Sequence, residues 1–218
     1  MRLILARHGK AVHNVAFEEH QRGQGELPVG LPSFLQESAP LVEVGERQAR
    51  AAGAYLRDRG LRLDVAFISP AVRTRRTWAE YGFAGVPTVL EPRLKEQDGG
   101  VFDRLPLSVT QGQRERYARE AAASLDARPP QGESIREHLA RVEAWLRETV
   151  AACGGATVLA VTHYGVIGLI GALCEGLPLD SYLADRPAHL TPGYGDLIGY
   201  RRHGGHWVRE FLFHNPCR

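Results

Sequence analysis

Four short apolar runs, at residues 3–6, 63–68, 86–90 and 157–161, alternate with stretches of helical periodicity. That alternation constrains the fold more than any other feature of the chain. Continuous runs rich in Val, Ile and Leu suit parallel strands buried on both faces. Between them, Ala49, Ala52 and Leu56 line one side of a helix predicted over 42–59, with Gly60 placed to end it. Ile135, Leu139, Val142 and Leu146 form a second stripe, opened by the capping-box pair Ser134 and Glu137 and closed by Gly154-Gly155. A further helix is expected after Gly165, running to about Glu175. The pattern predicts an α/β fold, a mainly parallel sheet with helices on both faces. Residues 197–200 and 207–213, joined through His203-Gly204-Gly205, read as a C-terminal antiparallel hairpin. Two stretches break the rhythm: 14–40, rich in Gly, Pro and polar residues, and 97–131, with a helical patch around 113–125. Both read as insertions over the carboxyl ends of the strands, in a single domain spanning 1–218.

Charge narrows the function classes. The 27 basic residues, all but Lys10 and Lys95 arginine, face 25 acidic ones, for a net charge of +2. No overall field exists for gripping nucleic acid, so any bound anion must be held by a local cluster. No apolar run reaches 18 residues, and the opening apolar stretch is too short for a signal peptide, so neither a membrane partner nor export is expected. Cys153, Cys174 and Cys217 form no CxxC pair, which fits reduced thiols in the cytoplasm and neither a disulfide framework nor a zinc site. The oligomeric state is left open.

Such a local cluster lies where the strands end. Residues 3–6 run into Arg7-His8-Gly9, and 63–68 into Ser69-Pro70-Ala71-Val72-Arg73. Residues 157–161 run into Thr162-His163-Tyr164-Gly165, and 86–90 lead shortly into Leu94-Lys95-Glu96. Open α/β sheets bind ligands outside the carboxyl ends of their strands, near the point where strand order reverses. Two arginines, two histidines and a carboxylate are thus delivered to one rim, an inventory suited to a phosphoryl group. Arginine presents a fork of donors that matches phosphate oxygens. One histidine can attack phosphorus, a second can stabilise the transferring oxygens, and a protonated carboxyl group can supply the leaving oxygen with its proton. Pro70 suits the first turn of a helix with Ser69 at its cap, which places Arg73 near a positive helix end.

Arg7-His8-Gly9 with Asn14 following resembles the opening motif of the histidine phosphatase superfamily, which includes cofactor-dependent phosphoglycerate mutases. The stretch from Pro40 to Ala49 is similar to that family's PLTxxGxxQA segment, and the stretch from Ser69 to Thr77 to its SPxxRxxxT segment. Leu94-Lys95-Glu96-Gln97-Asp98 resembles the strip bearing its acid, and Thr162-His163-Tyr164-Gly165 its second-histidine motif. The pieces occur in order over roughly residues 2–170. The resemblance implies that His8 is the nucleophile, that Arg7, Arg73, His163 and Asn14 bind the phosphoryl oxygens, with His163 also serving catalysis, and that Glu96 is the proton donor. It implies no metal; for the phosphatase reading no cofactor is expected. Lys10-Ala11 stands where many members have Glu-Ser, and Gly99 where an aromatic commonly follows the Gln-Asp pair. Both departures bear on substrate preference.

Plainer readings account for several neighbours. Asn14 equally suits a turn, Arg75 and Arg76 read as solvated surface, and Glu133 belongs with the helix start at Ser134. Lys10 and Arg22 read as solvated loop charges, and the HxxH pair His203 and His206 lacks further ligands. The expected activity is a metal-independent phosphomonoesterase acting on a small phosphorylated metabolite through a phosphohistidine. The alternative is a cofactor-dependent phosphoglycerate mutase. A non-catalytic phosphate-binding regulatory module ranks below both, since His8, Glu96 and His163 are all present.

Overall fold

The computed structural model describes residues 1–22, 38–105, 107–184, 187 and 190–217. Its elements follow in chain order: β1 (Arg2–Arg7), α1 (Val12–Gln21), α2 (Glu43–Asp58), β2 (Val65–Ile68), α3 (Val72–Glu80) and β3 (Thr88–Leu90). A 3-10 turn (Pro92–Leu94) leads to α4 (Val101–Arg104), α5 (Leu107–Ala121), α6 (Ile135–Ala152) and β4 (Thr157–Thr162). The chain continues through α7 (Tyr164–Glu175), α8 (Leu179–Ala184), β5 (Leu197–His203) and β6 (His206–Phe213). The sheet runs β3-β2-β4-β1-β5-β6, with the first four strands parallel and the last two an antiparallel hairpin.

Period-two alternation builds a core on each face. Leu3 and Leu5 of β1 join Val158 and Ala160 of β4 beneath α6 and α7. Ile4 and Ala6 join Leu159 and Val161 on the opposite face, beneath α2. Strands β1 and β4 are therefore apolar at nearly every position, as a sheet covered on both sides requires. From β1 the chain leaves towards β2 and β3; from β4, its neighbour, it leaves towards β5. The order reverses between β1 and β4, so the crevice for a ligand opens just past Arg7 and Thr162.

Four expectations need correction. Run 86–90 forms a strand, but an exposed one, with Leu90 54% accessible, because it is the outermost strand of the sheet. Ser69 is not a helix cap: α3 starts at Val72 with Ala71 before it, and Pro70 precedes the helix. Residues 12–21, largely within the stretch 14–40 where no helix is expected, are helical; of the same stretch, 23–37 lies outside the described residues. In the second insertion the helix occupies Leu107–Ala121, earlier than expected. The capping box at Ser134 is present in full.

Candidate active site

His8 follows β1 and His163 follows β4, and the two strands are paired in register up to Arg7 and Thr162. The His8 amide donates to the Thr162 carbonyl (3.1 Å), and the two imidazole rings lie 5.3 Å apart between centroids. Arg73, the second residue of α3, reaches between them. Glycine makes this closeness possible. A Cβ on Gly9 would run into the Gly45 backbone, so the first turn of α2 packs directly on the loop that carries His8.

The hydrogen bonds assign the tautomers. His8 Nδ1 lies 2.8 Å from the Gly9 carbonyl and so carries the proton, which leaves a lone pair on Nε2. Arg73 Nε donates to that Nε2 (3.2 Å). Arg73 Nη2 lies 2.9 Å from His163 Nδ1; a guanidinium only donates, so His163 holds its proton on Nε2 and gives it to Ser69 Oγ (2.8 Å). Ser69 thus orients the second histidine.

His8, Arg73 and His163 are each no more than 3% exposed. Burial, then the field of Arg73, pushes both histidines well below the usual imidazole range, so both stay neutral. Burial also lowers Arg73, to about 10, and lowers Arg7, yet both remain cations at neutral pH. Two positive charges withdrawn from water beside a neutral imidazole nitrogen form a site suited to an anion.

Arg7 is held from the far end of the chain. Its Nη1 donates to the Pro192 carbonyl (2.6 Å), and its guanidinium lies 3.9 Å from the Tyr194 ring centroid and 5.1 Å from that of Tyr164. Arg7 Nε is buried with no hydrogen-bond partner among the described residues. Glu96 sits past the 3-10 turn, which is tied to β4 by Thr162 Oγ1 donating to the Leu94 carbonyl. The Glu96 carboxylate accepts from the amides of Gly165 (3.0 Å) and Gln97 (3.1 Å), and any side chain at 165 would displace it. Asn14 turns inward to its own backbone: Oδ1 accepts from the Ala11 amide (3.0 Å) and Nδ2 meets His13 Nε2 (2.9 Å).

Two cavities flank this cluster. One of about 410 Å³ is lined by Arg7, Lys10, Glu18, Arg22 and Tyr194, with Lys10 paired to Glu18 at 2.6 Å. The other, about 230 Å³, is lined by Glu96, Gln97, His138, Tyr164 and Tyr182. Near it, Asp103 accepts from the Gly99 amide (2.7 Å), and its carboxylate fills the space a side chain at 99 would need. Among the described residues no group of three or more His, Cys, Asp or Glu is disposed to hold a metal ion, and no helix is long and apolar enough to cross a membrane.

Arg7, His8, Arg73 and His163 thus come together at one strand-end cluster, with Glu96 at its edge. Sequence reasoning misses His13, Tyr164 and Tyr194 as site residues and gives Ser69 a different role. Along the chain Ser69 reads only as a helix cap; its service to His163 depends on β2 lying beside β4, which no local pattern announces.

The model of the histidine phosphatase superfamily (branch 1) matches residues 3–192. The chain belongs to that superfamily. Among its relatives, a 2,3-bisphosphoglycerate-dependent phosphoglycerate mutase of Methylobacterium sp. (strain 4-46) is 30% identical over 189 residues, covering 82% of this chain and 83% of that one. An alpha-ribazole phosphatase from Shigella flexneri superposes with a TM-score of 0.77 at 23% identity, over 97% of this chain and 96% of that one. A mycobacterial glucosyl-3-phosphoglycerate phosphatase solved with VO3 superposes with a TM-score of 0.74 at 23% identity, over 98% of both chains. Both structures share the fold described above.

Proposed function

We propose that the protein is a metal-independent phosphomonoesterase that hydrolyses a small phosphorylated metabolite in two steps through His8. One observation supports this best: Nδ1 of His8 is committed to the Gly9 carbonyl, and its Nε2 lone pair is aimed at the guanidinium of Arg73. In the first step Nε2 attacks phosphorus, the bond from phosphorus to the ester oxygen breaks, and Glu96 gives that oxygen its proton. Arg7, Arg73 and His163 hold the phosphoryl oxygens while charge shifts onto the leaving group. In the second step water attacks the phosphohistidine, Glu96 takes the water's proton, and inorganic phosphate leaves.

A second reading, mutase chemistry, draws on the name of the Methylobacterium relative. It shares the first step and returns the phosphoryl group to a sugar acid in place of water.

The test is rapid-quench trapping of an acid-labile phosphoenzyme, followed by a screen of phosphorylated metabolites for free phosphate and of 3-phosphoglycerate for isomerisation. His8→Ala is expected to abolish phosphoenzyme completely. A phosphoenzyme that survives in that variant overturns the assignment, and isomerisation without phosphate release selects the mutase.

A further inference from the structure

His13, the second residue of α1, is a largely enclosed ring to which the mechanism above gives no task. Its protonation state follows from its neighbour. Because the Ala11 amide donates to Asn14 Oδ1, the Asn14 amide cannot turn over, and its nitrogen faces His13 Nε2 at 2.9 Å. An amide nitrogen offers only hydrogens, so Nε2 must accept and the neutral ring carries its proton on Nδ1. That Nδ1 is buried with no hydrogen-bond partner among the described residues. A buried donor without an acceptor is costly and rare in native proteins, and it calls for a missing acceptor.

The surroundings specify that acceptor. The ring lies 6.3 Å from the His8 ring, centroid to centroid. The cations it feels most strongly are Arg73 and Arg7, and Arg73 is the group at His8 Nε2. In the same cluster, Arg7 Nε is a second buried donor with no partner among the described residues. Two unpaired N–H groups, on His13 and on the Arg7 guanidinium, together with the Arg73 guanidinium around one lone pair, call for an anion with several oxygens. Burial, with the two arginines, also pushes His13 down to about 3, so the ring remains a neutral donor across the working pH range.

We infer that His13 donates its Nδ1–H to an oxygen of the phosphoryl group bound at His8, and that Asn14 is the positioning residue that fixes the required tautomer. The inference rests on the proposed role of His8 as the seat of the phosphoryl group. It adds a neutral donor to the two cations. A neutral donor strengthens phosphate binding without lowering the basicity of the nucleophile, as a third positive charge would.

The test uses calorimetric titration of the full chain with inorganic phosphate and with orthovanadate, neither of which requires turnover. His13→Leu is expected to weaken both by about 10- to 100-fold, the range for a lost hydrogen bond to a charged group, with no loss of thermal stability. His13→Asn, whose amide N–H falls near the Nδ1 position, is expected to recover most of that affinity. Wild-type affinity in His13→Leu, or equal losses in both variants, overturns the inference. Should the leucine variant not fold, the wild-type protein decides: nitrogen-15 spectra of His13 are expected to show the Nδ1–H form, with its proton shifting downfield on phosphate binding. A Nε2–H form, or no shift, overturns it. These readouts stand apart from the phosphoenzyme experiment, so tight phosphate binding that depends on His13 in a protein lacking phosphohistidine would refute the proposed function alone.

Discussion

The pocket between β1 and β4 and the rim that surrounds it are built on opposite principles. In the pocket, His8, Arg73 and His163 are almost fully buried, and each is fixed by backbone or by a buried partner. On the rim, charged side chains pair with each other across partly exposed surface: Lys10 with Glu18 and Arg141 with Glu133. Exposed pairs contribute about 0–1 kcal/mol each and tolerate exchange. Removing one member of a buried charged cluster leaves the others uncompensated and costs several times more. The pocket therefore admits little change, while the rim is free to vary; under the proposed reaction, the rim would vary with the alcohol being released.

That contrast breaks most sharply at Glu96, to which the proposed reaction gives a chemical role although it sits at the rim's edge. Glu96→Ala is expected to slow phosphoenzyme formation from alkyl phosphates by about 10²- to 10⁴-fold, the usual effect of losing a general acid. With p-nitrophenyl phosphate, whose leaving group needs little protonation, the loss should be far smaller. Single-turnover measurements with both substrates check this; equal losses, or none, would bring Asp98 forward as the acid.

A smaller effect is expected within the pocket. Ser69→Ala leaves His163 Nε2–H without its acceptor and should reduce kcat by roughly 3- to 10-fold for every substrate alike. A loss confined to one leaving group would place Ser69 with the rim.

Acid stability separates the two regions without any substrate. His8, His13 and His163 are all held below the ordinary imidazole value of about 6.5 by burial. Below that pH the unfolded chain takes up protons that the native pocket refuses, so stability falls as pH drops from about 6.5, towards about 3 for His13. Each excess proton contributes a slope of about 1.4 kcal/mol per pH unit. On the rim, burial raises Asp103 to about 6, which works in the opposite direction: its penalty is relieved as pH falls through 6. Three groups outweigh one, so the urea midpoint should be lower at pH 5 than at pH 7.5, and His13→Leu should lessen the difference. Equal midpoints would mean that the pocket histidines ionise freely. The smallest expected effect is that of EDTA, which should leave activity unchanged because arginine supplies the positive charge. Loss on chelation, restored by a divalent cation, would overturn metal independence.

Legibility in the sequence follows the same division. Strands β1 and β4 are readable because burial on both faces leaves continuous apolar runs, and the residues just past them are readable as motifs. The exposure of β3 is not, because an apolar edge strand has the same composition as a central one. Helix α1 escapes because its capping contact comes from Asn14 reaching back to the Ala11 amide, a signal that also fits a turn. Tyr194 escapes for another reason. It acts on Arg7 through ring stacking from a segment some way beyond the last motif, and no local pattern announces such a contact.

The place of β1 in the sheet has a consequence for how the protein is made. Among the strands of this sheet β1 leaves the ribosome first, yet its neighbours on both sides are late ones: Arg2 pairs with Thr157 of β4 and with Arg201 of β5. At about 5–20 residues per second, translation leaves β1 without a partner for roughly 8 to 30 s. During that interval a largely apolar segment is exposed, and His8 has neither the Thr162 carbonyl nor Arg73 and His163 arranged around it. Ribosome-bound chains halted before residue 157 should therefore remain protease-sensitive at β1 and depend on chaperones, whereas chains halted with β5 fully emerged should be protected. Protection of the shorter chains would show that β1 finds some other partner first.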